Sequence, residues 1–235
     1  MTTDEATKST RAGQPKSGTG WLAGNALSVA MFGAFLVFIV LQSVFGWHVR
    51  NEELAEYGRA ADSYWQYLTT GHFAEAVFEN WESEFLQMGA YVLLTAYLVQ
   101  RGSAESKQPE EKDRPDDDPA GATGESPRAS RGHGPAQFLY RNSLALVLFG
   151  FFALSFVSHL IGGAAEYNEQ QALTGRPPVS TLEFLGSSDF WFQSMQNWQS
   201  EFLAVGALIV LSIFLRQHGS PESKPVTAPH RQTGE

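Results

Sequence analysis

The sequence predicts an all-α membrane protein. Its four transmembrane helices form two parallel tandem-repeat hairpins, with a short helix in each of two outer loops. Three observations carry this. Uncharged apolar stretches alternate with strongly polar ones. Basic residues are concentrated in alternate connecting segments. The chain also matches itself when shifted by 117 residues. Averages conceal all three, because 235 residues at 43% hydrophobic and 17% charged describe an ordinary soluble protein.

The first span is Leu22–Phe45, inside an uncharged run from Ser17 to Val49. About 20 apolar residues cross a bilayer core, so its 24 residues suffice. Lys8, Arg11 and Lys16 precede it like the basic end of a signal peptide. A cleavable apolar region is only about 7–15 residues long, so an uncleaved anchor is expected. Three further uncharged segments follow: Phe85–Val99, Asn142–Ala165 and Phe202–Leu215. The expected spans are residues 22–45, 82–100, 142–163 and 199–216.

Orientation follows from the basic residues. Residues 1–21, 101–141 and 216–235 hold 13 of the 16 Lys and Arg. Segments 46–84 and 163–201 hold only Arg50, Arg59 and Arg176. Both termini and the central linker are therefore expected in the cytoplasm of a cell with its inner (plasma) membrane as host. The two loops face outward, and they carry 13 of the 25 acidic residues.

The internal repeat aligns 25–107 with 142–224 without a gap, at 31 identities in 83 positions. Its strongest block is Asn80-Trp81-Glu82-Ser83-Glu84-Phe85-Leu86 against Asn197-Trp198-Gln199-Ser200-Glu201-Phe202-Leu203. A second is Gly102-Ser103-Ala104-Glu105-Ser106-Lys107 against Gly219-Ser220-Pro221-Glu222-Ser223-Lys224. Two spans per copy return the chain to its starting side, so the copies are parallel repeats. These paired N-W-x-S-E-F-L hairpins with G-S-x-E-S-K tails resemble an uncharacterised family of bacterial four-helix membrane proteins, catalogued only as a domain of unknown function. The resemblance covers both hairpins and departs at Ala104, where the family's tail usually reads Pro. It implies a bacterial inner membrane and supplies no activity.

The domain plan is a disordered tail 1–20, repeat 1 over 21–100, a disordered linker 101–137, repeat 2 over 138–217 and a disordered tail 218–235. The linker includes the run from Pro109 to Pro119, whose Pro, Asp and Glu cannot bury enough apolar surface to offset ordering entropy. In the loops, Ser63-Tyr64-Trp65-Gln66 and Ser180-Thr181-Leu182-Glu183 fit the capping box and open short helices over Tyr64–Leu68 and Thr181–Leu185. Breaks at Gly71 and Gly186-Ser187-Ser188 precede long helices over His72–Gln100 and Asp189–Gln217. Trp65, Trp81, Trp191 and Trp198 read as an interfacial aromatic belt.

One polar constellation stands out. Phe202–Leu215 covers only about 21 Å against a core of about 30 Å, so Glu84 and Glu201 are expected at the outer hydrocarbon boundary, facing partners. His159 lies about 26 Å along its helix from Asn142, and Gln42 is its repeat equivalent. Glu84, Glu201, His159 and Gln42 form a candidate membrane layer, with Asn80, Asn197, Ser83 and Ser200 one turn further out. A polar layer holds helices together in lipid. Alternatively, it handles a proton or cation.

With 0 cysteines there is no disulfide framework or thiolate chemistry. The net charge of −9 argues against a general nucleic-acid binder. No phosphate-loop, dinucleotide, zinc-protease or nucleophile-elbow motif occurs. No cofactor, metal or catalytic residue is expected. The expected role is a non-enzymatic structural or interaction protein in contact with the lipid bilayer and an unknown protein partner. The alternative is a small proton or cation transporter or channel, which would need a homodimer to enclose a path; an enzyme with an outer-face Glu/His site is third.

Overall fold

The computed structural model describes residues 20–108, 123–131 and 134–234. The basic residues Lys8, Arg11 and Lys16 and the Pro109–Pro119 run lie outside the described residues. All regular structure among the described residues is helical. In chain order the helices are α1 (Trp21–Gly24), α2 (Ala26–Glu56), α3 (Tyr64–Tyr67), α4 (Gly71–Tyr97), α5 (Pro135–Arg141), α6 (Ser143–Leu173), α7 (Thr181–Leu185) and α8 (Ser188–Phe214). Three of them, α2, α6 and α8, are long and apolar enough to cross a membrane. Helix α4 falls short on composition. Its first half carries Glu75, Glu79, Glu82 and Glu84, and its uncharged part begins only at Phe85.

The chain divides into two compact units, residues 1–64 and 65–235. In the first, α2 continues 11 residues beyond the predicted span end at Phe45, through Asn51-Glu52-Glu53-Leu54-Ala55-Glu56. Glu, Leu and Ala are strong helix formers, so the helix does not stop where the apolar run stops. It ends at Gly58, whose φ of 64° only glycine adopts at low cost. The Arg59 amide reaches back to the Leu54 carbonyl at 2.9 Å, as in a Schellman cap. Asn51 then clamps the returning chain: its Oδ1 accepts from the Asp62 amide at 2.7 Å and its Nδ2 donates to the Asp62 carbonyl at 3.1 Å. Trp47 Nε1 donates to the same carbonyl at 2.7 Å.

The second unit contains α4 through α8. Helix α6 likewise runs past its apolar stretch, through Glu166 to Leu173, and ends at Gly175 with φ of 72°. Asn168 clamps Val179 by the same pair of bonds, at 2.7 and 2.8 Å. Helix α7 starts with a complete capping box: the Ser180 hydroxyl accepts from the Glu183 amide, and the Glu183 carboxylate accepts from the Ser180 amide at 2.7 Å. Hydrogen bonds from the Ser180 amide, and then from its side chain, hold the Glu183 carboxyl below its ordinary value. Thr70 and Ser187 cap α4 and α8, each accepting from the amide three residues on.

Helices α4 and α6 run antiparallel at close range, with Gly71 against Gly162 at one end and Gly89 against the Phe149 ring further along. A Cβ on Gly162 would stand 2.9 Å from Ala74 Cβ and 2.9 Å from the Glu75 amide nitrogen. The crossing therefore depends on small side chains, which let the two helix backbones approach closely. An aromatic core closes the Gly71–Gly162 end: Ala164, Phe184 and Phe190 are buried, with Phe156, Leu160 and Tyr167 packed on them.

Segments 101–108 and 218–234 depart from the disorder that their composition predicts. They fold as turns in which Ser103, Ser106, Lys224 and Thr233 are buried. Hydrogen bonds stabilise these segments, and composition-based reasoning counts only apolar burial.

Candidate functional site

The polar centre of the second unit lies where α4, α6 and α8 meet. Glu75, Glu79 and Glu82 are spaced i, i+4 and i+7, so one face of α4 carries three carboxylates. Helix α6 presents Ser155, His159, Gly162 and Glu166, all buried. Helix α8 presents Gln193, Asn197 and Trp198, all partly buried.

His159 and Glu82 are both completely buried. His159 Nδ1 lies 3.0 Å from Glu82 Oε2, and Trp198 Nε1 donates to Glu82 Oε1 at 3.1 Å. His159 Nε2 lies 3.2 Å from Gln193 Oε1, while Gln193 Nε2 donates to Glu75 Oε1 at 2.6 Å. The Phe190 ring stacks on the imidazole at 4.9 Å between centroids.

These bonds constrain the protons. An amide oxygen only accepts, so His159 Nε2 carries a hydrogen. The Nδ1–Oε2 bond then needs one further hydrogen, on Nδ1 or on Glu82. Either way Glu82 and His159 together hold two protons and are neutral as a pair. That is the condition under which such a pair survives burial, since an isolated charge there is very costly.

Glu75 and Glu79 precede the apolar part of α4. Burial pushes the Glu75 carboxyl up to about 7; the Gln193 bond opposes this, and the nearby Glu166 and Glu79 carboxylates add to it. Burial also raises Glu79, against the pull of His159 and a hydrogen bond from Asn197.

The structure distributes the residues of the predicted layer. His159 is at the centre. Glu84 is exposed, and the carboxylate that meets His159 belongs to Glu82, two residues earlier. Glu201 is half-buried and within electrostatic reach of Glu84. Ser83 and Ser200 donate to the Asn80 and Asn197 carbonyls of their own helices, both at 2.8 Å. Asn80 and Asn197 also donate along their own helices. Gln42 belongs to the first unit. Of the four tryptophans of the predicted belt, Trp65 and Trp191 are exposed, Trp81 packs edge-on to Phe78, and Trp198 joins the network. The 75/79/82 spacing is the signal that identifies the missed carboxylates, because two residues of helix turn Glu84 roughly 200° away from Glu82.

Among the described residues no group of three or more His, Cys, Asp or Glu side chains is arranged to hold a metal ion. The family model described as Domain of unknown function (DUF6766) matches residues 18–235. The chain belongs to that family. No curated protein and no solved structure matches it. The polar centre thus sits inside a family domain with no assigned activity.

Proposed function

We propose that this chain is a four-span protein of the bacterial inner membrane, made of two tandem hairpins with both termini in the cytoplasm. It acts without a catalytic centre, as a structural or interaction protein. The carrying observation is the closed network at His159, Glu82, Trp198, Gln193 and Glu75, in which side chains of three helices bond to one another. Such a network resists helix separation in lipid, where a released polar group finds no water. The hairpin reading is supported by the element boundaries, since α6 and α8 start 117 residues after α2 and α4 and match them in length. The paired Asn51 and Asn168 clamps support it too.

A second reading, proton handling by a homodimer, is favoured by one observation: Glu75 titrates near neutrality beside a His–Glu pair. Reconstitution into vesicles with a trapped pH dye separates the two. The test variants are Glu82→Leu, Glu75→Gln and the pair Glu84→Gln plus Glu201→Gln. The structural reading expects no flux in the parent chain and loss of thermal stability in Glu82→Leu. Proton flux in the parent, abolished by Glu75→Gln with the fold intact, would overturn it in favour of transport.

A further inference from the structure

The G-S-x-E-S-K turns are not used by the polar centre, yet they are built in detail. In each copy the serine before the lysine accepts the amide that follows the helix end: Gln100 N to Ser106 Oγ at 2.9 Å, Gln217 N to Ser223 Oγ at 2.8 Å. In each copy the first serine accepts the amide of the motif glutamate at 3.2 Å. The lysines then diverge. Lys107 donates to the Ala96 carbonyl of its own helix at 2.6 Å.

Lys224 does something else. It is buried, and its ammonium donates to the carbonyls of Gly102, Pro229, His230 (2.9 Å) and Gln232 (3.0 Å). One acceptor belongs to the first turn and three to the chain end. The rest of the end follows. Thr233 Oγ1 accepts from the Gly102 amide at 2.7 Å, and the Gly234 amide donates to the Ser103 carbonyl at 2.9 Å. Ser103 and Ser212 hydroxyls bond at 2.9 Å, and Arg216 donates to the Ala228 carbonyl at 2.9 Å. Burial disfavours the Lys224 charge and Arg216 adds to this, so only a full set of acceptors keeps the ammonium in place.

The turn gripped in this way is also a wall. A cavity of about 330 Å³ lies between α4 and α8, lined by Gln87 to Leu98 on one side and Phe202 to Ile209 on the other. Val99, Gln100, Glu105 and Ser106 line it at the turn. The Gly102 position admits no larger residue, since a Cβ would stand 2.7 Å from the His230 carbonyl oxygen. The chain end therefore lies directly against this wall.

We propose that residues 224–234 are a strap that holds the 99–106 turn closed over one end of the α4–α8 cavity, with the Lys224 ammonium as its fastening. This goes beyond the functional reading above and holds under either version of it.

The parent chain has no cysteine, so a single reporter is clean. The reporter is Thr95→Cys, which lines the cavity. The full-length protein in detergent micelles is labelled with a water-soluble maleimide. Thr95 is only partly buried with the turn closed, so release of the strap should expose it further and accelerate labelling by about threefold or more. Expected accelerators are Lys224→Met, Lys224→Ala and a chain ending at Ser223; Thr233→Val is a milder second route should these fail to fold. Arg176→Met, outside both turns, should leave the rate unchanged. Propylammonium, which supplies the atoms missing from Lys224→Ala, should slow labelling of that variant towards the parent rate. Equal rates in parent, strap-released and truncated chains would overturn the proposal. So would an acceleration in Lys224→Ala that propylammonium does not reverse.

Discussion

Glu75 sets the direction in which stability responds to pH. Its carboxyl titrates near 7 in the folded chain against an ordinary value of 4.5. The folded pKa is the higher one, so the folded state holds the proton more tightly. The stabilisation is complete below about pH 4.5 and is lost as pH rises through about 7. At 1.36 kcal/mol per pH unit the loss is at most about 3 kcal/mol. Glu79, also raised, adds in the same direction. Glu75→Gln keeps an oxygen for Gln193 and removes the titration, so the variant should show a much flatter profile. The assay is denaturant or thermal unfolding in micelles across pH 4.5 to 8, read by the fluorescence of the six tryptophans. If Glu75→Gln and the parent lose stability equally over that range, burial of Glu75 is not what controls the response.

Glu82→Leu or His159→Leu alone should cost about 3–5 kcal/mol, because each leaves a buried polar partner unmatched, and the double variant should cost less than the sum. A double-mutant cycle in unfolding free energy measures that coupling. Gly162→Ala should cost about 1–3 kcal/mol, since the added Cβ meets α4 backbone, whereas Gly150→Ala, with nothing within 4 Å, should be close to neutral. Asn168→Ala should free the Val179 amide and carbonyl, cost about 1–3 kcal/mol, and raise hydrogen exchange between Gly175 and Ser180.

Local structure was legible in the sequence. The capping box at Ser180 and the breaks before α4 and α8 act within a few residues, so sequence motifs reveal them. The two long helices after the breaks begin one residue before their predicted starts and end three residues sooner, at Tyr97 and Phe214. Their ends retreat because Leu98 and Leu215 turn extended to enter the G-S-x-E-S-K turns.

The apolar stretches, their caps and the acidic face of α4 are properties of the sequence by itself, because hydropathy and helical spacing are local quantities. The tertiary structure alone decided which carboxylate is buried. The Gly71–Gly162 contact sets the rotation of α4 against α6, and that rotation turns Glu82 inward to His159 and Glu84 outward. It also decided the fate of the polar chain end. Lys224 is one more basic residue in a composition count, and only a folded chain brings carbonyls from residues 102, 229, 230 and 232 around its ammonium. Hydrogen bonds between residues more than a hundred positions apart leave no periodic trace in the sequence.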